Sequence, residues 1–271
     1  MKYRHSFHAG NFADIHKHVT LLALLASLKR KDKGFAYIET HAGRGSYDVG
    51  SSPEAAGGVG RFLASSCQAP ELANFGSLLS RLRRERNRPH LYPGSPLIAA
   101  SELRAQDRAL VCEINPPEAR ALERDVGIRV ECADGFERLR AWLPPRERRA
   151  LIFIDPPYET HRDFEAVKTA IADALQRFST GVYAAWYPIK DQREIRSWHD
   201  SFARAVGADT LASELWLYPR DSKVALNGSG LLIVNPPYQL EERTKIWLPE
   251  LQARLDVGHA GGTRIIRLTP P

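Results

Sequence analysis

Apolar residues recur first with a helical and then with a strand-like period. Between Asn11 and Leu28, Ala13, Val19, Leu22 and Leu25 to Leu28 give a buried face; Asn11 supplies a capping side chain, and Lys29, Arg30 and Lys31 follow. This predicts a helix from Asn11 to about Leu28. Short, apolar, β-branched runs then occur at 35–40, 109–114, 128–132 and 150–154, separated by helical or loop patterns. That alternation predicts a parallel sheet built from crossover units. Later strands are expected at 181–186, 214–218 and 231–234. A turn-rich stretch containing Asn227-Gly228-Ser229-Gly230 separates the last two, which suits an antiparallel hairpin.

One crossover unit needs about thirty residues, but the first two strands are separated by far more. Residues 51–90 carry Phe62, Leu63, Leu78, Leu79 and Leu82 at helical spacing, together with many arginines, so an inserted helical subdomain is expected there. The main domain then comprises residues 1–50 and 91–271. Ser95-Pro96 reads as an N-cap followed by proline in the first helical position, restarting that domain.

A composition of 43% hydrophobic and 26% charged residues excludes disordered and fibrous classes. The net charge of +6, concentrated in runs such as Arg81 to Arg86 and Arg146 to Arg149, favours a polyanionic partner, although such runs also serve as solvated helix faces. Cys67, Cys112 and Cys132 form no CxxC pair, and two of them lie in strand-like runs, so reduced, buried thiols and a cytoplasmic location are expected. The start of the chain has no apolar signal core, and the longest apolar stretch, around 21–28, is too short to span a bilayer. No heptad or exposed apolar helix calls for a protein partner, so a monomer is expected.

In an open parallel sheet, ligands lie beyond the carboxyl ends of the strands. Those ends carry Glu39-Thr40-His41-Ala42-Gly43-Arg44-Gly45, then Glu113, then Asp134-Gly135, then Asp155-Pro156-Pro157-Tyr158. Gly43 and Gly45 allow a tight turn and close backbone approach, and the absence of a third glycine argues against a dinucleotide dehydrogenase. Glu113 can accept both hydroxyl protons of a ribose, and Asp134 an adenine amino group. Asp155-Pro156-Pro157-Tyr158 suits chemistry at an exocyclic amine, whose lone pair is delocalised into its ring. Hydrogen bonds accepted from the amine by Asp155 and a proline-region carbonyl pull the nitrogen toward tetrahedral geometry and stabilise its developing charge. Tyr158 is expected to stack on the extruded base. A second copy, Asn235-Pro236-Pro237-Tyr238, follows the last strand; if that strand is antiparallel, the copy lies at the opposite edge of the sheet and is structural. Four histidines lie at 5, 8, 16 and 18, but no cysteine or nearby acid completes a metal-ligand set, so no metal is expected. Tyr3 and His5 suit contacts with RNA bases and phosphates. Lys17 and His18, adjacent on a helix, are expected to divide between substrate and cofactor.

Tyr3-Arg4-His5-Ser6-Phe7-His8-Ala9-Gly10-Asn11, Thr40-His41-Ala42-Gly43, Tyr92-Pro93-Gly94-Ser95-Pro96-Leu97, Ala133-Asp134-Gly135-Phe136, Ile154-Asp155-Pro156-Pro157-Tyr158 and Trp186-Tyr187-Pro188 together resemble the RlmJ family of bacterial 23S rRNA adenine-N6 methyltransferases. The resemblance implies an α/β, Rossmann-like S-adenosylmethionine-dependent methyltransferase fold with an inserted helical subdomain, acting on one adenine of 23S rRNA. It further implies that His18, His41, Ser95, Glu113, Asp134, Gly135 and Asp155 line the S-adenosylmethionine site. Asp155 would be the catalytic acceptor, with Lys17 important for activity and Tyr3 near the substrate. Two other readings remain at this stage: a DNA adenine-N6 methyltransferase with the same chemistry, and a non-catalytic RNA-binding module on the same fold.

Overall fold

The computed structural model describes residues 8–64, 66–219, 226–256, 258 and 260–268. Its strands are β1 (Ala36–Glu39), β2 (Ser46–Asp48), β3 (Leu91–Pro93), β4 (Arg108–Cys112), β5 (Val130–Glu131), β6 (Ala150–Ile154), β7 (Val182–Ile189), β8 (Thr210–Trp216), β9 (Gly228–Val234) and β10 (Gly262–Leu268). Eight of them form one sheet in the order β10-β8-β9-β7-β6-β1-β4-β5, while β2 and β3 pair as a separate ribbon. The run from β5 to β7 is parallel; β9 turns antiparallel to β7, β8 to β9, and β10 to β8. Strand order reverses between β1 and its neighbours β4 and β6, which creates the crevice where open α/β sheets bind ligands.

Alternating side chains divide the core between the two faces of the sheet. Tyr37, Leu151, Phe153, Leu231 and Ile233 face α1 (Phe12–Lys29), α4 (Pro70–Glu85), α5 (Ser95–Glu102) and α10 (Leu240–Leu255). Ile38, Ile152, Ile154, Leu232 and Val234 face α7 (Gly135–Trp142), α8 (Arg162–Arg177) and α9 (Gln192–Val206). Beside β4 and β5, α6 (Pro116–Val126) covers the sheet through Ala119 and Leu122.

The first helix begins where its sequence predicts, with the Asn11 side chain accepting from Ala13 N and Asp14 N. It is more deeply embedded than an amphipathic helix, however, with every residue from Ala13 to Leu25 buried, including His16, Lys17 and His18. The cause is the segment at 51–90, which folds into α2 (Pro53–Ala55), a π turn (Ala56–Gly60), α3 (Arg61–Leu63) and α4. Leu72, Phe75, Leu78, Leu79 and Leu82 of α4 share the core of α1, so α1 runs between the sheet, α4, α5 and α10. Gly58 permits the close approach of this segment: a Cβ there would collide with the Gly10 carbonyl, and the neighbouring Val59 N donates to that oxygen at 2.8 Å.

Three sequence expectations need correction. Gly228, Ser229 and Gly230 belong to β9 rather than to a turn, because the Tyr187 ring of β7 packs where a Cβ at Gly230 would stand. The edge strand β10 was not anticipated; its Arg264 reaches buried Glu214, and Arg267 reaches Asp209 and Glu241. Cys112 is buried, but Cys132 is exposed because β5 is a two-residue edge strand that ends before it, and Cys67, in the loop before α4, is partly exposed. Among the described residues, no helix is long and apolar enough to cross a membrane.

Candidate active site

The carboxyl end of β6 meets the first half of α1. Lys17 Nζ donates to Asp155 Oδ2 at 2.6 Å and forms an ion pair with Asp14 Oδ1 at 2.9 Å. Asp14 Oδ2 also accepts from Gly10 N at 2.9 Å, and Gly10 itself adopts a φ of 78°. The turn before α1 therefore holds Asp14, Asp14 holds Lys17, and Lys17 holds Asp155. Burial opposes the charge on Lys17, but the two carboxylates outweigh it and raise its pKa above the ordinary lysine value.

At the carboxyl end of β1, Glu39 is fully buried and accepts from Ser95 Oγ at 2.5 Å and Tyr37 OH at 2.8 Å. Burial raises its pKa to about 8, although both hydroxyls oppose the shift. Gly94 is the N-cap of α5, so Ser95 is the first helical residue rather than the cap expected, and its hydroxyl bonds to Glu39 instead. Beside it, the half-buried His41 bonds through Nδ1 to Thr40 Oγ1 at 2.7 Å and packs edge-on against Phe136. Burial holds the pKa of His41 down to about 4, so its ring is neutral at physiological pH.

Glu113 lies just beyond β4, where Oε2 accepts from Gly43 N at 2.7 Å and Oε1 from Asn115 N at 2.8 Å. These amides aim the carboxylate across the β1 loop, while burial pushes its pKa up. Asp134 caps α7 through bonds from Phe136 N and Glu137 N to Oδ1. A side chain at Gly135 would collide with the Thr40 carbonyl, so only glycine brings this helix start so close to β1. Ile114, 63% exposed, adds an apolar surface between Glu113 and Asp134 in sequence order. His18 is buried on the α4 side of α1, where Nδ1 meets Tyr92 OH at 2.9 Å and the ring packs against Phe75.

Tyr158 departs from its expected role. It adopts a φ of 48°, is only 6% exposed, packs against Phe164 and Trp186, and donates to the Trp186 carbonyl at 2.6 Å. The left-handed turn after the two prolines sends the ring inward, so it is not an open platform for a base. The two Pro-Pro-Tyr copies also fold differently. In the second, Asn235 carries the positive φ, 54°, and its amide donates to the Ser179 and Gly181 carbonyls at 2.8 Å each, while Tyr238 is 78% exposed. Because β9 is antiparallel to β7, Asn235 lies at the amino end of β7, remote from Asp155.

Tyr3 and His5 lie outside the described residues. Among those described, no group of three or more His, Cys, Asp or Glu side chains could hold a metal ion. Sequence reasoning assigned no role to Asp14, Glu39 or Trp186. The i,i+3 spacing of Asp14 and Lys17 and the acid closing the first strand were the available signals. Trp186 figures only within the Trp186-Tyr187-Pro188 motif that carries the resemblance, with no role assigned to it.

The family model described as ribosomal RNA large subunit methyltransferase D, RlmJ, matches residues 32–268. The chain is 37% identical to ribosomal RNA large subunit methyltransferase J of Haemophilus influenzae, over 100% of this chain and 99% of that protein. It is 40% identical to the Escherichia coli protein of the same name, over 96% and 97% respectively. A crystal structure of a Legionella pneumophila protein superposes with a TM-score of 0.85 at 36% identity, covering 96% of this chain and 98% of that one.

Proposed function

The chain belongs to the RlmJ family of ribosomal RNA large subunit methyltransferases, and from that membership we propose that it transfers a methyl group from S-adenosylmethionine to the N6 amine of one adenine in 23S rRNA. The observation that carries this reading is the Asp155 carboxylate, bound by a buried lysine at the carboxyl end of β6 beside the strand-order reversal.

The residues around the crevice suit the donor. Glu113, oriented by Gly43 N and Asn115 N, can receive the ribose hydroxyls. The side chain of Ile114 offers an apolar face to an adenine ring, and Asp134 an acceptor for its amine. Gly135 provides the close backbone approach, while His41 and Ser95, with His18 behind them, would line the methionine side. When bound, S-adenosylmethionine would supply an electrophilic methyl group.

Asp155 performs the central step. Lys17 engages Oδ2, leaving Oδ1 to accept an N–H of the adenine amine; this draws the nitrogen lone pair out of conjugation and stabilises the positive charge as the N–C bond forms and the methyl's bond to the donor sulfur breaks, after which the surplus N–H proton would leave by way of Oδ1 to solvent. Pro156 and Pro157 contribute no N–H donors and hold the loop carbonyls in fixed directions. Lys17 balances the carboxylate's charge and fixes its direction, and the neutral His41 beside it adds no competing cation. Tyr3 and His5 are proposed to meet the RNA, and the helical insertion at 51–90 to form a subdomain of the 1–50 and 91–271 methyltransferase domain. The enzyme is proposed to act as a monomer in the bacterial cytoplasm, where its substrate is made.

Mass spectrometry of rRNA from cells lacking the protein tests the reaction and substrate together: loss of one N6-methyladenine is expected. Purified protein should methylate deproteinised 23S rRNA in preference to duplex DNA, and Asp155→Ala should abolish transfer while S-adenosylmethionine binding survives within a few-fold. Equal transfer to DNA would overturn the rRNA assignment, and turnover by Asp155→Ala would overturn the mechanism.

A further inference from the structure

We infer that Trp186, not Tyr158, is the aromatic platform for the target base, and that a buried chain from Ser229 through His16 to Ser213 fixes its ring in place. The inference rests on the adenine-methylation reading and names the side chain that positions the substrate.

Three observations carry it. The position suggested by sequence is closed, because Tyr158 is buried against Phe164 and spends its hydroxyl on the Trp186 carbonyl. Trp186 is half-buried midway along β7, one residue beyond the Ala185 that pairs with Ile154 at the end of β6, and so level with Asp155. Its ring centroid lies 5.5 Å from Lys17 Nζ, the atom 2.6 Å from Asp155 Oδ2. An aromatic face therefore adjoins the carboxylate that must receive the amine, and the edge of Tyr158 braces it at 5.7 Å between centroids.

The orientation of the indole is set from behind. An indole nitrogen can only donate, so Ser229 Oγ accepts from Trp186 Nε1 at 2.9 Å. Ser229 Oγ also meets His16 Nδ1 at 3.0 Å, and His16 Nε2 meets Ser213 Oγ at 3.1 Å. In this arrangement both ring nitrogens of His16 are satisfied, and His16, Ser213 and Ser229 are all buried. Burial keeps His16 neutral, with its pKa lowered to about 3, so the ring carries no charge across the working pH range. Such a network at the back of a sheet has an evident use if the ring it holds must meet a ligand edge-on to Asp155 and face-on to a flat base.

The test is a Trp186 series assayed on deproteinised 23S rRNA, with kcat and KM for RNA, S-adenosylmethionine affinity and melting temperature measured for each variant. Loss of one base–aromatic stack is expected to lower kcat/KM by about 5- to 150-fold. Trp186→Leu should fall in that range, Trp186→Phe should recover most of the loss, and Ser229→Ala, which keeps the ring but frees it, should lie between. Affinity for S-adenosylmethionine should stay within about twofold throughout. A Trp186→Leu variant with parental kcat/KM, a loss matched by equal loss of S-adenosylmethionine affinity, or a Trp186→Phe variant no better than Trp186→Leu would each overturn the inference. Should Trp186→Leu not fold, parental activity in both Trp186→Phe and Ser229→Ala would overturn it. The parent enzyme keeps the two ideas apart. If the parent does not methylate adenine in rRNA, the underlying reading fails; if it does and the variants match it, only the platform fails.

Discussion

Replacing Glu39 with glutamine should make the protein more stable at neutral pH, by an amount that depends on pH in a defined direction. Glu39 is fully buried between Tyr37 OH and Ser95 Oγ, and its pKa rises from 4.5 in the unfolded chain to about 8 in the folded protein. A raised carboxyl pKa means that the native state binds the proton more tightly, so its stability is complete below pH 4.5 and declines as pH rises toward 8. Each pH unit in that window costs up to about 1.4 kcal/mol, which amounts to about 3 kcal/mol at pH 7 and about 5 kcal/mol above the folded-state value. Glutamine has the same shape and does not titrate, and its amide can both accept and donate to the two hydroxyls. Urea unfolding of parent and Glu39→Gln should therefore give equal stability near pH 4.5, a gap that widens with pH, and a plateau above pH 8. Parallel stability curves would refute the reasoning, because they would mean that the buried carboxyl is ionised at the same pH as the unfolded one. A gap that narrows as pH rises would mean that the charge itself is stabilised at this position.

Lys17→Met should lower stability at neutral pH by about 3–5 kcal/mol, since it leaves the Asp14 and Asp155 carboxylates without their shared cation, and methyl transfer should fall to background even at temperatures where the variant is folded. Urea unfolding at pH 7 measures this loss, and a variant as stable as the parent would argue against the buried triad. Asn235→Ala removes two hydrogen bonds to the Ser179 and Gly181 carbonyls, so it should cost about 1–3 kcal/mol and leave kcat unchanged. Loss of turnover at parental melting temperature would give that second motif copy a catalytic role.

The elements that carry the site were legible because they obey strong local rules. β6 (Ala150–Ile154) has the predicted limits because it is uniformly apolar and ends at Asp155-Pro156-Pro157, where proline stops the ladder. The first helix announces itself through the Asn11 cap. What was hidden depends on contacts between residues far apart in sequence. β10 carries Arg264 and Arg267 within its run, and their partners Glu214, Asp209 and Glu241 are supplied by β8, the residue before it, and α10. The inward turn of Tyr158 follows from a backbone angle that two preceding prolines permit but do not announce. The same Pro-Pro-Tyr run after β9 puts its tyrosine into solvent, so the motif alone does not determine which way the ring points.

The histidine-rich start of the chain shows how polar residues can serve a buried helix. His8 Nδ1 meets Glu54 in the insertion, His16 bridges Ser213 and Ser229 under the sheet, and His18 meets Tyr92 beside α4. His8 ties the turn before α1 to the insertion, while His16 and His18 join α1 itself to the sheet and to the β3 ribbon, and an imidazole suits such places because it can donate at one nitrogen and accept at the other. An apolar α1 would pack equally well by area, but nothing would then specify its rotation or height against β6. With Lys17 only 2.6 Å from Asp155, a rotation or slide of a single residue would carry the ammonium out of reach of the carboxylate. The polar stripe on α1 therefore trades packing energy for register, and the catalytic carboxylate is the group that requires that register.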